Sequence, residues 1–160
     1  MKILYLTLED MSLHKGSVVH VREIVSGLHA RGHTVGLLAR NRGWIKEIDF
    51  FYNLQPTSSW WGPLKRLRTP TYLFSSLFLF FSLWFLVPRY DVVYARDFHS
   101  AVIAWLPRRI FGKKLVYEIN GLASEEVKLK GNSFKVRFFS MLVYWAEKMA
   151  SHAWYYSVAE

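Results

Sequence analysis

Residues 1–40, MKILYLTLEDMSLHKGSVVHVREIVSGLHARGHTVGLLAR, decide the fold. Ile3 to Leu8 is a short apolar run of the kind that forms a strand buried on both faces, and Glu9-Asp10 end it. After a polar loop containing Gly16-Ser17, the residues Val18, Val21, Val25 and Leu28 recur at helical spacing, with Arg22 and Glu23 off that face. The spacing predicts an amphipathic helix from Val18 to Arg31, with Ser17 as N-cap. Gly32 ends it, because glycine reaches the left-handed conformation without a Cβ penalty. Thr34 to Ala39 is a second apolar run. Strand, helix and strand in this order make a βαβ unit, whose crossover is right-handed.

The same alternation continues downstream. Asn41 to Pro70 reads as an irregular excursion with one short strand, punctuated by Trp44, Phe50, Phe51, Trp60 and Trp61. Asp91–Ala95 and Lys114–Glu118 are β-branched at their centres and read as further strands, separated by a helical stretch near His99–Phe111. Ser133 can cap a last helix carrying Phe134, Phe138, Met141, Leu142, Trp145 and Met149 at helical spacing, and Ala153–Val158 reads as a final strand. The predicted class is α/β, a Rossmann-like doubly wound, mainly parallel sheet. A chain of 160 residues that is 52% hydrophobic builds one such core, so residues 1–160 are read as a single domain.

The chain has no cysteine, which removes disulfides and thiolate metal sites and is compatible with a reducing, cytoplasmic setting. The apolar start is too short for a secretory signal before Glu9 and Asp10. A formal charge of +9 favours partners bearing phosphate. Aromatic residues interleaved with Arg and Lys move that expectation toward a lipid surface, and no nucleic-acid motif is present.

Thr69 to Pro88 carries no charge and approaches the length of a membrane span. Spanning would put Thr34–Ala39 and Asp91–Ala95 on opposite sides of a bilayer, where they could not share a sheet. A crossover helix is the better reading. Only Ser75, Ser76 and Ser82 relieve its apolar surface, so a second side should also be covered, either by lipid or by polypeptide. Lys65, Arg66, Arg68 and Arg89 flank the stretch as in a helix seated peripherally among anionic headgroups, and with Trp84 they are the candidate membrane contacts.

In a doubly wound sheet, ligands bind beyond the carboxyl ends of the strands. The residues there are Glu9-Asp10 with Gly16-Ser17, Arg96-Asp97 and Asn120-Gly121. Gly16-Ser17 open a helix whose free N–H groups suit an anion, against the alternative of a capped helix start with no ligand. Arg96 and Asp97 offer a permanent cation and a carboxylate, or else a structural ion pair. His20 lies on the first turn of the helix, where it can face the cleft. Glu118 and Glu125 are candidate cleft residues that compete with a reading as solvated carboxylates. His29 and His33 straddle the break at Gly32 and cannot form a helical i,i+4 metal pair, and His99 and His152 read as helix-surface or terminal residues. No metal is assigned. The GxGxxG signature is absent and Gly27-x4-Gly32 is followed by His33, which disfavours a dinucleotide enzyme or a P-loop NTPase.

Five strings in order, MKILYLTLE (1–9), KGSVVHVREIVSGLHARGHTV (15–35), DVVYARD (91–97), KLVYEING (114–121) before Glu125-Glu126, and WAEKMASHAWYYSV (145–158), resemble the N-terminal domain of family 4 glycosyltransferases. The resemblance covers nearly the whole chain. It implies one half of a GT-B architecture, in which a sugar passes from a nucleotide donor to a glycan or lipid-linked acceptor held mainly by this domain. No cofactor is implied beyond the nucleotide sugar as substrate, and no metal. Two departures stand out: Ser17 replaces the second of two adjacent glycines, and Asn120 replaces a histidine, which limits that position to hydrogen bonding. The sequence ends at Glu160, before the donor-binding domain of such enzymes. The expectation is therefore an acceptor half that works with a C-terminal donor domain or a separate donor subunit and transfers no sugar alone. The alternative is a non-catalytic membrane-surface or partner-binding module that keeps the fold.

Overall fold

The computed structural model describes residues 1–41, 43, 48–54, 68–118, 144 and 148. Nine elements of backbone follow the predicted alternation: β1 Lys2–Asp10, α1 Gly16–Ala30, β2 Thr34–Arg40, β3 Phe50–Asn53, α2 Arg68–Leu86, a 3₁₀ turn Val87–Arg89, β4 Val92–Ala95, α3 Phe98–Ile110 and β5 Lys114–Tyr117. All four strand pairings are parallel, in the order β3-β2-β1-β4-β5. The Rossmann-like α/β reading holds. The readings at Lys65, Arg66, Asn120, Gly121, Glu125 and the Ala153–Val158 strand lie outside the described residues, as does the Ser133 helix except at Tyr144 and Lys148, which are helical.

The apolar runs become strands because both faces of the sheet are covered. Leu4, Leu6 and Leu8 of β1 point to one side, where they meet Leu79, Leu83 and Leu86 of α2 with Ala101 and Ala104 of α3. Tyr5 points to the other, with Val35 and Leu37 of β2 against Val18, Val21 and Val25 of α1. Helices on opposite faces are the doubly wound arrangement. Since β3 and β4 belong to one sheet, α2 is a crossover helix. Among the described residues no helix is long and apolar enough to cross a membrane.

Gly36 in β2 is required by packing: a Cβ there would collide with the Tyr90 hydroxyl, which lies over it and is 3.1 Å from the Tyr52 hydroxyl. Gly32 ends α1 at φ +77°, as the sequence predicts. The start of α1 differs from the prediction. Lys15, not Ser17, is the N-cap, in extended conformation and without a side-chain cap bond, and its carbonyl accepts from the N–H groups of Val18 and Val19. Ser17 consequently sits inside the first turn. β1 also runs on through Glu9 and Asp10, with its register against β2 broken between Leu6 and Asp10.

Candidate functional site

The chain order places β2 and β3 on one side of β1 and β4 and β5 on the other. β1 feeds α1 on one face and β4 feeds α3 on the other, so the connections leaving their carboxyl ends diverge. This is the topological switch point, where doubly wound sheets bind ligands. A cleft of about 310 Å³ lies there, lined by Leu8, Glu9 and Asp10 of β1, Leu13 and Lys15 of the following loop, Arg40, and Arg96, Asp97 and His99. A more apolar hollow of about 600 Å³ involves Met1, Val92 and Lys114 at the opposite, amino edge. The switch-point geometry favours the smaller cleft.

Two carboxylates of the cleft are held by the fold itself. Asp97 caps α3: its Oδ1 accepts from the Ser100 N–H at 2.8 Å, and its Oδ2 accepts from the Ser100 hydroxyl at 2.9 Å and from the Leu8 N–H at 3.1 Å. It therefore ties the end of β1 to the start of α3. Asp10 accepts from the Ser12 N–H and hydroxyl and from the Asn41 amide. Burial by itself would raise the Asp10 carboxyl, but these bonds, with Arg40 nearby, hold it below its ordinary value.

Arg96 turns to Glu9. Its Nη1 lies 3.7 Å from Glu9 Oε1, with the side chain 11% exposed. The cations Lys15, Arg40 and Arg96 thus line the cleft beside Glu9, while Asp10 and Asp97 are committed to backbone and polar side chains.

Beside this cleft, Glu118 gathers a second constellation. Its Oε1 lies 2.6 Å from His20 Nε2, and its Oε2 accepts from the hydroxyls of Tyr5 at 3.3 Å and Tyr94 at 3.4 Å. The two tyrosine rings stack at 4.8 Å between centroids. Glu118 is 14% exposed and His20 43%. Burial and the Glu118 charge push the Tyr94 hydroxyl up to about 12, and the same causes push Tyr5 well above its ordinary range against an opposing pull from Arg96. Both phenols therefore stay protonated and donate to the carboxylate. With Nε2 engaged by Glu118, the His20 Nδ1 is the ring nitrogen left for a further partner. Arg96 joins the two groups, since it lines the cleft and also acts on Tyr5.

Among the predicted site residues, Gly16 and Ser17 sit in the first turn of α1, and an added Cβ at Gly16 would meet nothing within 4 Å. His20, Arg96 and Asp97 lie at the same sheet edge. Sequence reasoning left out Lys15, Arg40 and His99 as cleft residues, and it ranked Glu118 as a solvated carboxylate. No local pattern marks them, because their grouping depends on strand order. Of the candidate membrane contacts, Arg68 opens α2 and Arg89 is exposed, whereas Trp84 packs edge-on against Phe80 and Phe111 in the seam between α2 and α3. Among the described residues no group of three His, Asp or Glu side chains could hold a metal ion.

Known proteins agree with this architecture. The structure is similar to that of the Anabaena protein HepE in complex with UDP, with a TM-score of 0.56 at 18% identity over 96% of this chain and 36% of that one. It is similar to sucrose-phosphate synthase of Thermosynechococcus elongatus, at 0.54 and 16% over 89% and 39%. It also resembles a putative UDP-N-acetylglucosamine 2-epimerase of Listeria monocytogenes, at 0.53 and 12% over 94% and 41%. The chain spans well under half the length of each, and at these identities the likeness is one of fold. No curated protein sequence matches. A family model described as a glycosyl transferase 4-like domain matches residues 15–160, and the chain belongs to that family, with the Rossmann-like fold of one half of a GT-B architecture.

Proposed function

We propose that this domain forms the acceptor wall of a glycosyltransferase, holding a glycan or lipid-linked acceptor at the switch-point cleft while a second Rossmann-like domain, on this or another polypeptide, presents the nucleotide sugar. The observation that carries this reading is the cleft itself. Lys15, Arg40 and Arg96 surround a cavity of about 310 Å³ at the carboxyl edge, next to the His20–Glu118 pair. Such a surface binds hydroxyl-rich or anionic groups through charge-assisted hydrogen bonds. Arg96 is anchored by Glu9, and its fork is therefore oriented before a ligand arrives. His20, fixed by Glu118, offers Nδ1 to an acceptor hydroxyl. The donor side stabilises the charge that develops on the departing nucleotide diphosphate. The nucleotide sugar is a substrate, and the reading requires no resident cofactor.

The test is equilibrium binding of the chain to an array of glycans and lipid-linked sugars, comparing the natural sequence with Arg96→Ala. Retention of a carbohydrate-bearing ligand, weakened about tenfold or more by the substitution, supports the reading. Binding of UDP-sugars with no affinity for any acceptor, unchanged by Arg96→Ala, contradicts it.

A further inference from the structure

A crossover helix on a soluble sheet normally turns a polar face outward. α2 does not. Leu77, Phe78, Phe81 and Phe85 fall within one third of the helical circumference, opposite the buried Leu79, Leu83 and Leu86. They are exposed by 55%, 47%, 62% and 72%. The neighbouring α3 lies on the same face of the sheet and repeats the pattern with exposed Val102, Leu106 and Ile110. Trp84 locks the two helices together by its edge contact with Phe111 at 5.9 Å. Two adjacent helices thus present apolar outer rows, more apolar surface than scattered exposed residues would give.

Charge identifies what covers this face. From Phe50 to Tyr90 the sequence has no Asp or Glu, and among the described residues the exposed Arg89 ends the α2 segment while the exposed Arg109 lies on the outer side of α3, a helix without a carboxylate. A second copy of the chain docked on the same face would bring like charges together with no acid to meet them. An anionic lipid surface meets both requirements, with headgroups for the arginines and an acyl boundary for the phenylalanines. We infer that the α2–α3 face docks peripherally on an anionic phospholipid membrane, through the row Leu77, Phe78, Phe81 and Phe85 with Arg89 at its end. This inference stands apart from the acceptor reading, because it uses none of the cleft residues.

The experiment is flotation of the full chain with vesicles of equimolar phosphatidylglycerol and phosphatidylcholine, and with vesicles of phosphatidylcholine alone. The natural sequence floats with the anionic vesicles, and high salt weakens the association. Phe81→Ser with Phe85→Ser lowers binding about tenfold or more, and these outward positions leave the circular dichroism spectrum unchanged. Arg89→Glu with Arg109→Glu, which keeps the apolar row, also lowers binding and provides an independent arm should the serine variant misfold. Failure of the natural sequence to float with either vesicle overturns the inference. So does undiminished flotation of a folded variant, or a dimer in sedimentation that Phe81→Ser dissolves while vesicles are ignored. None of these outcomes bears on acceptor binding.

Discussion

The imidazole of His20 lies 2.6 Å from the carboxylate of Glu118, joining the first turns of α1 to the end of β5 across 98 positions of sequence. The other oxygen of Glu118 takes the hydroxyls of Tyr5 and Tyr94 from the two intervening strands. One part-buried carboxylate therefore gathers side chains from three elements, α1, β1 and β4, and its charge adds to burial in raising both phenols.

Alkaline pH exposes this coupling. The Tyr94 hydroxyl is raised from 10.0 to about 12, first by burial and then by Glu118. The folded state therefore keeps a proton that the unfolded state releases, so the stability gained from it is complete below about pH 10 and is lost as pH rises toward 12. Glu118→Gln removes the charge and should shift the Tyr94 titration downward. Phenolate absorbance, compared with Tyr94→Phe to isolate this residue, checks the shift, and urea unfolding across the same pH range checks the sign.

Asp97→Ala should destabilise the domain by about 2 kcal/mol, the upper end for loss of a helix cap, because the Leu8 N–H loses its acceptor along with Ser100. Asp97→Asn should recover part of this loss, since an amide oxygen still accepts. Urea denaturation of the three proteins measures it.

Gly36→Ala drives a methyl into the Tyr90 side chain and should cost roughly 1–3 kcal/mol through overpacking. Tyr90→Phe in the same chain relieves the contact with the hydroxyl, though the ring remains close. Thermal melts should place the double variant above Gly36→Ala alone.

Much of the sheet is legible in the sequence because Ile3–Leu8 and Thr34–Ala39 are apolar without alternation, a pattern that only burial on both faces explains. The helix of Val18, Val21 and Val25 is equally plain. Its start is not, since Ser17 has the right chemistry for a cap but Lys15 has the extended backbone, and a backbone conformation leaves little trace in residue type. β3 is harder still: Phe50 to Asn53 is an edge strand, paired on one side and partly exposed, so neither apolar run nor alternation marks it. At the site, the strand-end rule finds Glu9, Asp10, Arg96 and Asp97. It cannot say that Arg96 turns to Glu9 or that His20 meets Glu118, because those partners are chosen through space by strand order. The uncovered row on α2 was legible as a missing polar face, though Trp84 turned out to serve the helix seam.

His20→Ala tests the cleft without touching the core. His20 is 43% exposed but its loss takes a 2.6 Å partner from part-buried Glu118, so the thermal midpoint should fall modestly while acceptor binding weakens by roughly three- to tenfold, as for one lost hydrogen bond. Parallel melting and binding measurements separate the two effects.

The central claim is that the acceptor sits at the carboxyl edge between β1 and β4, and amide chemical-shift mapping of the isotope-labelled chain with an array-identified ligand tests it most directly. The account predicts shifts concentrated at Glu9–Asp10, Lys15–Ser17, Arg96–Ser100 and Glu118. Shifts confined to the amino edge around Met1, Lys113 and Lys114 would contradict it.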